Sequence, residues 1–158
     1  MKKLLMIAFM ALMSTTMFAQ QGATWVGANV SYGLHSDYKN LGVGAKVQYE
    51  FIDHFRAEAS GNYFFKKDYC TMWDVNLNVH YLIPAGGLTI YPLAGVTLLG
   101  SEVEVMGVKA SDSNLGLNLG GGVEFPLTEA IKLNIEAKYQ IVKDWDRPVI
   151  SAGVAFAL

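Results

Sequence analysis

The feature that most constrains this chain is its alternation of apolar and polar residues, sustained over one long segment after another. In 41–51, Leu41, Val43, Ala45, Val47, Tyr49 and Phe51 fall on one face, and Gly42, Gly44, Lys46, Gln48 and Glu50 on the other. A helix would scatter these apolar residues around its circumference, whereas a strand sorts them cleanly. Segments 131–141, 115–125 and 71–81 repeat the pattern, and 55–65 does so a little less tidily. Three further segments read as strands: 24–32, 88–99 and 149–158. The second of these is apolar on both faces, which leaves its register open.

The segments are long for a soluble sandwich, where strands of about 5–6 residues are usual. They match the roughly 9–11 tilted residues needed to cross the apolar layer of a bilayer. Residues 52–54, 84–87 and 126–129 are short and rich in turn formers, with aromatics just before them at Phe51, Tyr81 and Phe125. The other connections, 33–40, 66–68, 101–114 and 142–147, are more polar. Short turns at one end and longer loops at the other are the pattern of an outer-membrane barrel. The expected fold is all-β: an eight-stranded antiparallel up-and-down transmembrane β-barrel. Both termini and the short turns are expected in the periplasm, and the longer loops outside.

The first residues stand apart from this pattern. Lys2 and Lys3 precede an apolar run at 4–13, and Ala19 occupies a small-residue position before Gln20. This reads as a cleaved signal peptide over 1–19, leaving 20–158 as the barrel domain. Its removal takes two lysines and no acid, so the formal charge moves from −2 to −4. A mildly acidic chain without clustered Lys and Arg has no electrostatic footprint for nucleic acid. Cys70 is the only cysteine, which excludes an internal disulfide and a thiolate metal site.

The polar faces carry Lys46, Arg56, Lys132 and Lys138 together with Glu50, Glu58, Asp74, Glu124 and Glu136, spaced by glycines. An eight-stranded barrel is just wide enough for side chains to fill it. Charges confined there are costly unless they pair. The expected reading is a structural network of ion pairs plugging the interior, with a proton or ion path as the alternative.

Other constellations carry less. His35, His54 and His80 are placed on a loop, a turn and an inward face, so they do not converge on a metal. Asp74 stands about 20 Å from His80 along its strand, at ~3.3 Å per residue, too far for a Ser60–His80–Asp74 triad. Gly120-Gly121-Gly122 lies within a strand pattern and lacks the helix and lysine of a phosphate loop. Glu102, Glu104, Asp112, Asp144 and Asp146 flank or occupy outer loops, as solvated acids or as ligands for cations bridging lipopolysaccharide. No catalytic residue, cofactor or metal site is expected.

The signal peptide ending Phe18-Ala19-Gln20, segment 41–56, Tyr91-Pro92-Leu93-Ala94-Gly95-Val96 and the run 117–126 carry a family resemblance. Across the whole mature chain they resemble the small outer-membrane β-barrels, including the OmpA membrane domain and OmpX, and especially the "porin family" barrels of Bacteroidota. The resemblance implies a cell outer membrane location, contact with outer-membrane lipid and lipopolysaccharide, and insertion by the barrel-assembly machinery. That machinery reads the last strand, which here ends in Leu158 with Phe156 two residues before it. The leading functional expectation is a structural or surface-interaction barrel presenting its loops to a ligand. The alternatives are a narrow porin-like channel, a lipid-modifying enzyme, and a periplasmic lipocalin-like carrier.

Overall fold

The computed structural model describes residues 24–34, 39–67, 70–143 and 146–158. The proposed signal peptide, His35, Asp144 and Trp145 lie outside these residues. Within them the strands are β1 (Thr24–Leu34), β2 (Lys39–Ile52), β3 (Phe55–Lys67), β4 (Cys70–Tyr81), β5 (Ile83–Ala85), β6 (Leu88–Val105), β7 (Val108–Pro126), β8 (Ile131–Val142) and β9 (Arg147–Ala157). All pairings are antiparallel, in the order β4-β3-β2-β1-β9-β8-β7-β6, and a β4–β6 ladder closes the ring. Eight long strands thus form a closed barrel, and β5 is a short extra piece laddered to the start of β6. Closure removes the sheet edges that lipid could not satisfy.

The pleat sorts the side chains as the period of two demands. Val75, Leu77, Leu117 and Ile135 are exposed on the outside, while Lys46, Arg56, Glu58 and Asp74 are buried inside. The register of 88–99 is now fixed. Tyr91, Leu93, Thr97 and Leu99 point inward, and Ile90, Val96 and Leu98 face out. Both faces are apolar there because the lumen needs an aromatic and two leucines at these levels.

Thr24 and Leu158 meet at one end, here called the base, where Leu158 N donates to Thr24 O at 3.0 Å. The short turns at 53–54, 86–87 and 127–130 share that end. At the far end one sequence expectation is corrected. Residues 101–114, read as a loop, are strand, and β6 and β7 pair as far as Val105↔Val108. The alternation continues through Glu102, Val103, Glu104 and Val105, and a two-residue turn then reverses the chain. Met106 (φ 51°) and Gly107 (φ 78°) both adopt positive φ, the geometry whose twist suits a tight hairpin.

This hairpin overreaches its neighbours. β4 follows β6 only to Cys70↔Val103, and β8 follows β7 only to Gly116↔Val142. Among the described residues, 108–115 therefore ladder with β6 on one side and with no strand on the other.

Candidate functional site

The lumen is filled in layers. Nearest the base, Arg56 of β3 reaches across to Glu124 of β7, with Nη1 at 2.9 Å and 3.1 Å from the two carboxylate oxygens. Lys132 Nζ joins the same carboxylate at 3.0 Å and lies over the Trp25 ring, 4.0 Å from its centroid. The Tyr91 ring is stacked on His80 (4.6 Å, 11°), and the Arg56 guanidinium stands 5.0 Å from its centroid. Glu50 is half-buried on β2, opposite Arg56 in the ladder.

In the middle layer, Lys46 Nζ donates to Asn134 Oδ1 (2.6 Å) and Gln48 Nε2 to Glu58 Oε2 (2.6 Å). Tyr91 OH donates to Glu136 Oε2 (3.0 Å), and Lys138 Nζ lies 3.9 Å from the same carboxylate. A cavity of about 10 Å³ remains among Asn29, Lys46, Glu58, Asn134, Glu136 and Lys138, room for one water.

Above it, Asp74 accepts from Asn62 (2.7 Å), Asn76 (2.7 Å), Gln140 (3.1 Å) and Arg147 (3.3 Å). Arg147 also donates from Nε to Gln140 Oε1 (2.8 Å), and its guanidinium lies 4.3 Å from the Phe64 ring centroid. At this end the lumen is apolar: Phe64, Cys70, Met72, Leu99, Val142 and Val149 pack together, with Val103 against them.

Sequence reasoning missed this apolar cap, Tyr91 and Arg147. Arg147 falls in the connection expected at 142–147, whereas β9 begins at Arg147 itself. Leu99 and Met72 alternate correctly with their neighbours, but an apolar residue facing the lumen looks like any other apolar residue in a list.

Glu58, His80 and Glu136 bring one ligand-type atom each within 4.8 Å of one another. The hydrogen bonds around His80 argue against a metal there. Arg56 points both Nε (3.3 Å) and Nη2 (2.9 Å) at His80 Nδ1, which must accept, so the hydrogen sits on Nε2 and leaves no lone pair for an ion. A metal-bound histidine instead donates from its other nitrogen. Charge agrees. Among the described residues, Lys46, Arg56, Lys132, Lys138 and Arg147 are buried against Glu58, Asp74, Glu124 and Glu136, with Glu50 half-buried. With His80 neutral the two signs balance.

Gly122 makes room for Tyr91: a Cβ there would lie 2.5 Å from Tyr91 Cζ and Oη and 2.8 Å from Ile135 O. Gly122→Ala is expected to cost about 1–3 kcal/mol of barrel stability. Urea unfolding in lipid vesicles would measure it, and Tyr91→Ala in the same chain should return part of the loss. Equal stability of Gly122→Ala and the parent would refute the steric account.

With the geometry in place, the comparisons decide the family. Residues 5–157 match the family described as the outer membrane protein beta-barrel domain. The chain belongs to that family. It is an outer-membrane β-barrel protein of the small-barrel type. Its fold is similar to the N-terminal β-barrel domain of Pseudomonas aeruginosa OprF (TM-score 0.70, 17% identity, covering 87% of this chain and 100% of that one). It is also similar to neisserial surface protein A, NspA (TM-score 0.70, 17% identity, covering 85% and 96%). A third such structure is Ail, the attachment invasion locus protein of Yersinia pestis (TM-score 0.64, 16% identity, covering 87% and 97%). No protein among the curated sequences matches the chain.

Proposed function

We propose that this outer-membrane barrel has a structural and surface-interaction role without catalysis, sealed to solutes along its axis and holding the β6–β7 hairpin outside the cell. The observation that carries the reading is the occupied lumen, crossed by ion pairs from Arg56 to Glu124 and from Arg147 to Asp74 and capped by the Phe64–Met72–Leu99 cluster. A hydrated ion meets no continuous polar path through such a stack.

The orientation is read from the overhanging β6–β7 hairpin, the longest excursion at either end among the described residues. Bacterial barrels keep short turns in the periplasm and longer excursions outside, which puts the base inward and the hairpin outward. The exposed apolar belt then faces outer-membrane lipid and lipopolysaccharide, and the barrel-assembly machinery inserts the chain. A lipocalin-like carrier fits poorly, because its apolar face would line the interior, and here charged and amide groups do. Among the similar folds, Ail has been crystallised in complex with the heparin analogue sucrose octasulfate, a precedent for a barrel of this shape meeting a ligand.

Planar-bilayer recording tests the sealed lumen. Refolded protein is expected to insert without conductance steps. Steps that vanish on Glu124→Gln would overturn the structural reading and establish the narrow channel.

A further inference from the structure

We propose that His80, Glu58 and Glu136 form a proton-binding site that works as a latch on Arg56. The neutral His80 ring holds the Arg56 guanidinium in the base layer. A proton taken up by the ring passes His80 to the two carboxylates and frees Arg56 to swing toward the base. The latch lies below the apolar cap, so the lumen stays sealed in both states.

The first argument is the direction of the hydrogen bonds. A guanidinium only donates, so Arg56 Nε (3.3 Å) and Nη2 (2.9 Å) fix His80 Nδ1 as an acceptor. With Nε2 already protonated, a second proton on the ring goes to Nδ1. There it sets one N–H against two others and a cation against a cation, so both hydrogen bonds break.

The second argument is the unused side of the ring. His80 is fully buried, and its Nε2 has no hydrogen-bond partner. It stands 3.8 Å from Glu58 Oε1, and a Glu136 oxygen completes a group whose atoms lie within 4.8 Å of one another. Two buried carboxylates beside an unengaged N–H are a seat for an imidazolium. The cavity lined by Glu58 and Glu136, with room for one water, gives the proton a carrier next to them.

The third argument is the set of charges around the ring. Lys46 faces it from β2, Arg56 and Glu58 from β3, Glu124 from β7 and Glu136 from β8, and the Tyr91 ring of β6 is stacked on it. Lys132 and Lys138 of β8 are engaged with Glu124 and Glu136, and Asp74 of β4 with Arg147 in the layer above. The signs balance while His80 is neutral, so an added proton is offset by motion. Glu124 keeps Arg56 Nη1 (2.9 Å), and the guanidinium pivots about that contact. Glu50, opposite Arg56 in the β2–β3 ladder, is placed to receive Nε and Nη2.

The test follows the refolded full-length barrel, with isotope-labelled histidine and arginine, by NMR as the pH falls from about 7 to about 4. The His80 signals are those missing from His80→Gln, whose side-chain oxygen accepts from Arg56 without titrating. At neutral pH the ring should carry its hydrogen on Nε2 alone, and Arg56 Nε–H should exchange with water as slowly as in His80→Gln. Once Nδ1 takes up its proton, Arg56 Nε–H should exchange about tenfold faster than in His80→Gln at the same pH, having lost its hydrogen bond.

Two variants separate the parts of the latch. At one acidic pH the protonated fraction of His80 should fall in Glu58→Gln, which weakens the seat. It should rise in Arg56→Met, which removes the opposing cation. Migration of unboiled samples on SDS gels checks that each variant is folded, and Glu58→Gln alone decides if Arg56→Met is not. Hydrogen on Nδ1 at neutral pH, or a ring that takes no second proton while the barrel stays folded, overturns the proposal. So does an Arg56 exchange rate that ignores the ring's titration, or a protonated fraction unchanged by Glu58→Gln.

Discussion

Asp74→Ala should destabilise the barrel by about 3–5 kcal/mol, the cost of leaving one partner of a buried ion pair uncompensated. Asp74 is 1% exposed and accepts from four side chains contributed by β3, β4, β8 and β9. Its loss strands the Arg147 guanidinium beneath the apolar cap, with Gln140 as its remaining oxygen partner. Asp74→Asn keeps acceptor oxygen at the same place and loses only the charge, so it should cost less than alanine. Urea unfolding of protein refolded into lipid vesicles, followed by tryptophan fluorescence, ranks the variants. A cost below about 1 kcal/mol for Asp74→Ala, the range of exposed pairs, would mean that water reaches this layer.

Arg56→Met should cost about 3 kcal/mol, at the lower end of the same range because Lys132 still neutralises Glu124. Methionine preserves much of the volume against Tyr91, so the loss reports charge and hydrogen bonding more than packing. The informative variant is the triple Arg56→Met, Glu124→Leu, Lys132→Met. Replacing a buried ionic group as a whole by apolar residues is often neutral or stabilising, so the triple should recover most of the loss. The shift in mobility between unboiled and boiled samples on SDS gels gives a second readout of the folded fraction. If the triple is as unstable as Arg56→Met, the network does more than balance charge, and its contacts with His80 and Tyr91 carry the difference.

The barrel itself could be read from the chain because one rule, the period of two, governs both faces of every long strand. Leu41 to Phe51 and Ile131 to Ile141 display it without interruption, and lipid outside with a polar lumen inside makes the two faces chemically distinct. Reading faltered where that chemical distinction lapses. At Tyr91, Leu93 and Leu99 the lumen is itself apolar or aromatic, so alternation gave no register. At 105–113 the hairpin is exposed on both faces, so the charge at Glu102, Glu104 and Asp112 reads as loop. Which inward charges meet was also beyond reach, since Arg56 and Glu124 are 68 positions apart and sit on strands that do not pair.

That last geometry bears on how the protein is made. Arg56–Glu124 joins β3 to β7, Asp74–Arg147 joins β4 to β9, and Lys46–Asn134 joins β2 to β8. Each of these contacts crosses the lumen between strands that are not neighbours, so it forms only when the ring closes, whereas Lys132–Glu124 already lies within the β7–β8 hairpin. A half-assembled sheet in lipid would hold bare Lys, Arg, Asp and Glu beside unpaired backbone, a state the bilayer strongly disfavours. Ring closure is therefore the step that completes the cross-lumen pairs, and opening the wall would break them again.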